Sequence, residues 1–125
     1  MVGITGLGGV FFKCNNPAKL REWYQEKLGL SSDQYGKTFL WGDTDGSSVW
    51  APFAKDTTYF SPSDKEFMIN FRVNDLASYL EEIRAKDVEV VGELQVEVYG
   101  KFAHILDLEG NKIELWEPMD SEMKS

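Results

Sequence analysis

Cysteine, histidine and long apolar runs are scarce in this chain, and each scarcity excludes a class of structure. Cys14 is the only cysteine among 125 residues, which rules out a disulfide or a thiolate metal cluster within the chain. No stretch approaches the roughly 20 apolar residues of a membrane span, and the first residues lack the basic and apolar regions of a secretion signal. We therefore expect a cytoplasmic protein that does not enter the membrane.

Clusters of basic residues are missing as well. The sequence has 13 Lys and Arg against 21 Asp and Glu, a formal net charge of −8. Because nucleic-acid binding depends on clustered cations that neutralise phosphates, we expect no nucleic-acid partner. The chain also has no phosphate-binding glycine loop ahead of a helix, no Cys-x-x-Cys pair and no Ser-His-Asp order.

The structural signals that are present occur twice in the same order. Each half begins with a strand, continues into a helix that starts after Asn or Asp, and ends with short strands. The predicted elements cover residues 7–14, 18–28, 32–35, 37–42 and 47–51 in the first half, and 67–73, 76–86, 88–91, 95–106 and 112–117 in the second. The polar segment 54–65 separates the halves as a linker.

The two halves also match residue by residue at both ends. The run GVFFKCNN, residues 9–16, lies over MINFRVND, residues 68–75, and SVWAP lies over ELWEP with Trp50 on Trp116. Two short matches in the same order indicate an internal duplication. We therefore predict an α+β fold of two βαβββ modules in one domain.

The predicted modules cover about residues 4–53 and 66–118. Each is expected to form a curved, mixed, four-stranded sheet, and the paired sheets surround a central cavity with the helices outside. Strand alternation directs residues such as Phe12 and Phe71 toward the helices. The opposite parity is predicted to face the cavity: Gly9, Phe11, Lys13, Met68, Asn70, Arg72, Glu114 and Trp116.

Two segments resemble one protein family. The opening GLGGVFFKCNNPAKLREWYQEKLGL and the ending DLEGNKIELWEP are similar to those of the vicinal oxygen chelate superfamily, which contains glyoxalases, bleomycin-resistance proteins and dioxygenases. The resemblance runs from about Ile4 to Pro118, and Leu108 stands where the family usually has Pro. It implies a small-molecule ligand or substrate, a homodimer, and a divalent metal that acts as a Lewis acid on two substrate oxygens.

Carried onto this sequence, the four metal-ligand positions of the family are Gly9, Ser48, Met68 and Glu114. Only the Glu114 carboxylate is a good ligand for such a metal, because glycine has no side chain, a thioether is soft and a hydroxyl is a poor neutral donor. We therefore expect no metal and no other cofactor.

Glu114 and His104 are the candidate catalytic residues. Glu114 is either a cavity base or a structural carboxylate paired with a neighbour, and His104 is either its proton-transfer partner or an ordinary strand residue. The face that His104 occupies is open, because Gly100 is a candidate for a bulge that resets the alternation.

An aromatic cavity with a few polar groups is typical of small-molecule sites. The residues predicted to bind a ligand are Phe11, Trp50, Asn70, Arg72, Tyr99, Phe102 and Trp116. The alternative is that they fill the interior between the sheets. Lys13 and Arg72 either bind an anionic ligand or lie in solvent and ion pairs at the strand ends.

Three functions follow from these features. The first is a binding protein that holds a small organic molecule, planar or anionic, without chemistry. The second is a glyoxalase-like lyase, isomerase or dioxygenase that uses Glu114 with or without a metal. The third is an interaction protein whose cavity is filled. The sequence leaves the ligand, the dimer arrangement and the presence of catalysis open.

Overall fold

The computed structural model describes residues 3–42 and 46–119. Within these ranges seven strands and two helices follow one another along the chain. Their bounds are β1 Gly3–Cys14, α1 Pro17–Leu28, β2 Lys37–Leu40, β3 Ser47–Ala54, β4 Phe67–Asn74, α2 Leu76–Arg84, β5 Glu89–Glu97, β6 Gly100–Leu106 and β7 Lys112–Pro118. No helix in the described ranges is long and apolar enough to cross a membrane.

All seven strands belong to one mixed sheet with the order β2-β3-β1-β4-β7-β6-β5. The antiparallel pair β1–β4 joins the two halves at the centre of the sheet. Within each half the first strand pairs in parallel with the last, β1 with β3 and β4 with β7. The predicted α+β class is confirmed, and the sheet is continuous and open.

In its described part the first half has three strands, so the predicted strand at 32–35 is wrong. Asp33 and Gly36 form only an isolated bridge around a tight turn. The Asp33 side chain accepts a hydrogen bond from the Tyr35 backbone N–H at 2.8 Å. An aspartate that bonds the backbone two residues ahead favours a turn over an extended ladder, which explains the missing strand.

In the second half the strand count is as predicted but one boundary moves. The predicted break near residues 92–94 is a bulge inside β5, where Gly92 has φ 73° and the pairing with β6 shifts between Val91 and Gln95. The hairpin turn lies instead at Val98 and Tyr99, before β6 begins. A glycine in the left-handed region accommodates the extra residue of a bulge without ending the strand.

Local capping explains where the helices begin and end. The Asn16 side chain accepts from the Lys19 backbone N–H at 3.1 Å, at the start of α1. Gly29 ends α1 in the left-handed conformation, φ 73°. Asp75 caps α2 through the Ser78 N–H. These are the start and stop signals that the sequence carries.

The two helices are buried to different degrees. From α2, Leu76, Leu80 and Ile83 enter a core cluster with Val73, Ala103 and Leu115. No residue of α1 is buried, and its main contact with the sheet is Tyr24 against Trp50, with ring centroids 4.6 Å apart. A second, smaller cluster joins β1 and β3 to β4 and to the segment between the halves: Phe11, Ala51, Phe60 and Met68.

Candidate functional site

Sheet pairing places a glutamate, an asparagine and a histidine side by side. Glu114 of β7 lies opposite Asn70 of β4 on one side and opposite His104 of β6 on the other. Residues directly paired across neighbouring strands project from the same face, so the three side chains meet. The sequence left open which face of the sheet His104 occupies. The structure places its ring on the same face as Glu114.

Three groups converge on the Glu114 carboxylate. Asn70 Nδ2 donates to Oε1 at 2.6 Å, and His104 Nε2 lies 2.8 Å from Oε2. The Tyr59 hydroxyl also donates to Oε2. Glu114 and Asn70 are each 2% exposed and His104 is 7% exposed. A carboxylate buried to this degree is tolerated because its oxygens are hydrogen-bonded.

Tyr59 reaches this cluster from the polar segment between the halves. Its ring stacks on Phe53 with an interplanar angle of 5° and meets the His104 ring edge-on. Lys112 Nζ donates to the Tyr59 carbonyl at 2.6 Å, and the neighbouring Phe60 is fully buried. The segment is therefore pinned to the sheet on both sides of its contact with Glu114.

The environment of the cluster shifts the pKa values of Tyr59 and Lys112. Burial, followed by the Glu114 charge and the hydrogen bond to it, raises the pKa of Tyr59 well above its ordinary value. Burial lowers the pKa of Lys112, and the Glu114 charge opposes that change. The Tyr59 phenol consequently stays protonated and keeps its role as a donor.

The Glu114 carboxylate also fixes the orientation of the Asn70 amide. Because Nδ2 donates to Glu114, the other end of the amide, Oδ1, must face away, toward Gly8. Oδ1 is buried and has no hydrogen-bond partner among the described residues. A Cβ added at Gly8 would lie 1.8 Å from this oxygen, so only glycine leaves room for it.

A cavity of about 710 Å³ opens above this polar cluster. Aromatic side chains from both halves form most of its wall, and the loop between α1 and β2 forms its rim. The lining residues are Phe11, Ser31, Ser32, Asp33, Tyr35, Gly36, Lys37, Thr38, Val49, Phe53, Tyr59, Asn70, Tyr99, Phe102, Glu114 and Trp116.

Six of the nine predicted site residues line this cavity: Phe11, Asn70, Tyr99, Phe102, Glu114 and Trp116. His104 lies behind Glu114 and is reached through it. Arg72 is buried between the rings of Trp41 and Trp116, 4.8 and 5.3 Å from their centroids, and is not part of the wall. The roles of these residues in binding or catalysis stay predictions.

The placement predicted for Trp50 is wrong. Its ring packs between Phe12 and Tyr24 on the helix side of the sheet, not in the cavity. In the observed register Val10 pairs with Trp50, and Ile69 pairs with Ile113. Since the match of the two halves places Val10 over Ile69, Trp50 corresponds to Ile113 and not to Trp116. Ile113 and Trp116 are three residues apart. Because successive side chains of a strand alternate between its two faces, this odd-numbered difference places Trp50 on the face opposite to the predicted one.

Two neighbours of Glu114 are absent from the predicted site residues, for different reasons. Lys112 has the same parity as Glu114 on β7, so strand alternation was sufficient to place it beside the carboxylate. Tyr59 lies in the irregular segment between the halves, where no periodicity predicts the direction of a side chain. The rim residues at 32–35 were not predicted to line the cavity because a strand was wrongly predicted there.

The four positions that the family resemblance assigned to metal ligands do not form a metal site among the described residues, and the observed register places Ala51, not Ser48, at the counterpart of Glu114. A Cβ at Gly9 would lie 2.3 Å from the Val49 carbonyl oxygen, so this backbone has no room for a side chain there. The Ser48 hydroxyl donates to the Leu7 carbonyl, and Met68 is fully buried in the small core cluster. Among the described residues, no group of three or more His, Cys, Asp and Glu is close enough to bind a metal ion.

Comparison with known proteins decides the family. The sequence profile of the Glyoxalase/Bleomycin resistance protein/Dioxygenase superfamily matches residues 6–115, most of the chain. The chain belongs to this superfamily. Among curated protein sequences, none matches it. The resemblance seen in its opening and closing segments is thereby confirmed.

Solved structures support the glyoxalase-like fold. A variant of methylmalonyl-CoA epimerase from Streptomyces coelicolor, in complex with 2-nitronate-propionyl-CoA, is 17% identical with a TM-score of 0.71, covering 94% of this chain and 99% of that one. The epimerase from Mycobacterium tuberculosis is 21% identical, with a TM-score of 0.63 and coverage of 98% and 93%. The Mn(II)-bound glyoxalase from Novosphingobium aromaticivorans is 12% identical, with a TM-score of 0.60 and coverage of 94% and 40%.

Tyr59→Phe tests the contact between the linker segment and the carboxylate. We expect the free energy of unfolding to fall by about 1 kcal/mol at pH 7, because one donor to a buried charge is lost. Folding raises the pKa of Tyr59 above its unfolded-state value of about 10. The phenol therefore contributes its full stabilisation below about pH 10, and this contribution is lost as the pH rises toward the folded-state pKa. Urea unfolding of both proteins from pH 7 to about pH 11 measures the difference.

The matched control is Tyr35→Phe, a tyrosine that is 73% exposed. Its difference from the unsubstituted protein is expected to be small, because most of the side chain is already in solvent. A Tyr59→Phe difference that stays constant across the alkaline range would contradict the assigned contact.

Proposed function

We propose that this protein binds a small organic molecule in the aromatic cavity and that binding uses no resident metal. The observation that carries the proposal is the cavity itself: about 710 Å³, walled by aromatic side chains and closed at one end by a buried, ordered polar cluster. Ligand sites commonly have volumes of roughly 300–1,000 Å³ and combine an apolar wall with a few fixed polar groups.

The aromatic wall is organised before any ligand enters. Phe53 and Tyr59 are stacked with an interplanar angle of 5°, and Phe102 and Trp116 with an angle of 4°. Phe102 and Trp116 come from the second half of the chain, Phe53 comes from the first half, and Tyr59 comes from the segment between them. Flat, preformed aromatic surfaces favour ligands with a planar apolar body, since little side-chain entropy is lost when the ligand binds.

Binding is favoured over catalysis by the state of the Glu114 oxygens. A general base needs a lone pair directed at the proton that it removes. Here Tyr59, Asn70 and His104 all direct polar hydrogens at the carboxylate, Oε2 being approached by two of these groups. The carboxylate therefore orients its neighbours and presents negative charge to the cavity.

Removal of a wall residue tests the binding proposal. N-phenyl-naphthylamine, an uncharged dye whose fluorescence rises in apolar sites, is expected to bind at one site per chain. Tyr99→Ala should weaken its binding by about tenfold, because Tyr99 lines the cavity, is 58% exposed and can be truncated without opening the core. Fluorescence titration gives both dissociation constants.

Trp23→Ala is the control for that titration, since Trp23 is a similarly exposed aromatic residue on α1 outside the cavity wall. Its dissociation constant should match that of the unsubstituted protein. Equal weakening by the two substitutions, or no saturable binding at all, would overturn the proposal.

The absence of a resident metal is tested by titration. Because the carried-over positions offer one carboxylate and no partner ligands, we expect Zn²⁺, Ni²⁺, Mn²⁺ and Fe²⁺ to bind no more tightly than to Glu114→Gln. Elemental analysis of the purified protein and calorimetric titration measure this. One tightly bound metal per chain, lost in Glu114→Gln, would overturn the metal-free proposal.

One observation favours a second candidate function, metal-free acid–base catalysis. His104 Nε2 lies 2.8 Å from Glu114 Oε2, which is the distance that a proton-transfer pair requires. In this alternative the pair removes and returns a proton next to a carbonyl, as an epimerase or isomerase does. The structural neighbours named methylmalonyl-CoA epimerase suggest the substrate with which to test it.

Isotope exchange distinguishes this alternative. If the pair is catalytic, incubation with methylmalonyl-CoA in heavy water should introduce deuterium, and Glu114→Gln should slow the exchange by about 10²-fold or more. Glu109→Gln changes an exposed glutamate outside the cavity and should have no effect. Exchange at the uncatalysed rate in every sample would remove epimerisation of this substrate from consideration.

The homodimer expected from the family resemblance stays a prediction. Several large apolar side chains on β1 and α1 are exposed, which is compatible with such an interface. They are Ile4, Leu7, Val10, Trp23 and Leu28.

A further inference from the structure

We propose that Arg72 and Trp41 are positioning residues of the cavity: they hold the Trp116 ring in its wall, although neither of them lines it. This inference rests on the proposed binding function and adds what sets the affinity of that site. It makes ligand binding depend on two side chains that a bound ligand does not touch. The register of the strands, the burial of the cation and the attachment of Trp41 carry the inference.

Strand pairing places these residues in one row across the sheet. Arg72 of β4 pairs with Trp116 of β7 on one side and with Gly6 of β1 on the other, and Trp116 pairs in turn with Phe102 of β6. Paired residues project from the same face, and glycine leaves the place beside Arg72 open. The Trp41 ring fills that place, since a Cβ added at Gly6 would lie only 2.8 Å from its Cη2 atom.

The row is a stack in which a cation lies between aromatic rings. The Arg72 guanidinium is 4.8 Å from the Trp41 centroid and 5.3 Å from the Trp116 centroid. On the neighbouring strand Phe102 is stacked on Trp116, with an interplanar angle of 4° and centroids 6.2 Å apart. Guanidinium groups are planar and weakly hydrated, so they stack well on ring faces. Trp116 therefore has a packed neighbour on each side along the row.

The cation in the stack is buried and held in place. Arg72 is 6% exposed, and its Nη1 donates to the Ser47 carbonyl at 3.1 Å. A charge buried to this degree is costly wherever polar partners and ring faces do not surround it. Arg72 is thereby confined to one position, which makes it a rigid support for the Trp116 ring.

Trp41 covers the stack on the solvent side. Its ring is 40% exposed, and its Nε1 donates to Ser48 Oγ at 3.0 Å. The same hydroxyl donates to the Leu7 carbonyl at 2.7 Å, which ties the outer ring to β1 as well as to β3. Trp41 consequently keeps water from the face of the Arg72 guanidinium that points away from Trp116.

The position of Trp116 matters because its ring is part of the cavity wall. The hydrogen bond from Trp116 Nε1 to the Tyr99 carbonyl, at 3.3 Å, fixes one edge of the indole. The stack with Arg72 and Phe102 then fixes its tilt. A wall that is ordered before the ligand arrives loses little entropy on binding, so loss of the stack should weaken binding without removing any ligand contact.

Substitution of the cation tests the inference. Arg72→Met keeps an unbranched apolar side chain and removes the charge, and we expect it to raise the dissociation constant of N-phenyl-naphthylamine about fivefold. Arg72→Lys restores a cation between the rings and should stay within about twofold of the unsubstituted protein. Fluorescence titration well below the unfolding temperature of each variant measures this, so that a loss of stability alone leaves the dissociation constant unchanged.

Trp41→Leu tests the same stack from its exposed side. It should weaken dye binding about threefold, and combined with Arg72→Met it should weaken binding no further than Arg72→Met alone, because both act through one ring. The matched control is Trp23→Leu, which removes an exposed tryptophan of α1 outside the wall and should have no effect. If Arg72→Met does not fold, Trp41→Leu and its control still decide the inference.

Fluorine NMR observes the wall ring directly and needs no ligand. The four Trp residues are labelled as 5-fluorotryptophan, and Trp116→Phe identifies the Trp116 signal. We expect one sharp Trp116 line in the unsubstituted protein, in Arg72→Lys and in Trp23→Leu. The line should broaden or split in Arg72→Met, as the ring samples several tilts, and sharpen again when the dye is added.

The outcomes separate the two proposals. Unchanged dye affinity in both Arg72→Met and Trp41→Leu would overturn the inference and leave the binding function standing. Equal weakening by Arg72→Met and Arg72→Lys would overturn the cation in the stack as the cause. Failure of the dye to bind the unsubstituted protein would overturn the binding function, and one sharp Trp116 line in every variant would then overturn the positioning role too.

Discussion

Burial of one carboxylate is the constraint that organises this molecule. Glu114 is 2% exposed, and a charge in that position is costly unless its oxygens are hydrogen-bonded. The necessary partners come from separate parts of the chain: Asn70 from β4, His104 from β6 and Tyr59 from the segment between the halves. The same contacts pin that segment to the sheet and fix the end of the cavity.

The duplicated fold carries an asymmetric site. In the observed register the first-half counterpart of Glu114 is Ala51, and the counterpart of Asn70 is Phe11. The first half therefore supplies apolar side chains at the positions where the second half supplies the polar pair Asn70 and Glu114. The resemblance to the superfamily implies metal ligands from both halves, and at the counterpart positions the first half here carries Ala51 and Phe11. Superfamily membership accordingly describes the fold and leaves the chemistry to the site.

Much of the fold was predictable because its signals are local. The α1 helix is bounded by Asn16 and Gly29, whose preferences act within a few residues, and it begins and ends where those signals indicate. The predicted strand at 32–35 failed because the Asp33 side chain competes for the backbone there. The polar cluster around Glu114 was partly predictable, because strand alternation places Asn70 and Glu114 on the cavity-facing side. Tyr59 was not, because it lies in the irregular segment between the two halves.

Sequence alone determined the duplication, the two helices, most strands and the candidates Glu114 and His104, since these depend on composition, capping and alternation along the chain. Tertiary structure decided the rest. A register difference of three residues, invisible in the match of Trp50 with Trp116, placed Trp50 on the helix side. Pairing between β6 and β7 set His104 against Glu114. Contacts between distant residues depend on register and loop path, and neither is encoded in the spacing of residues along one strand.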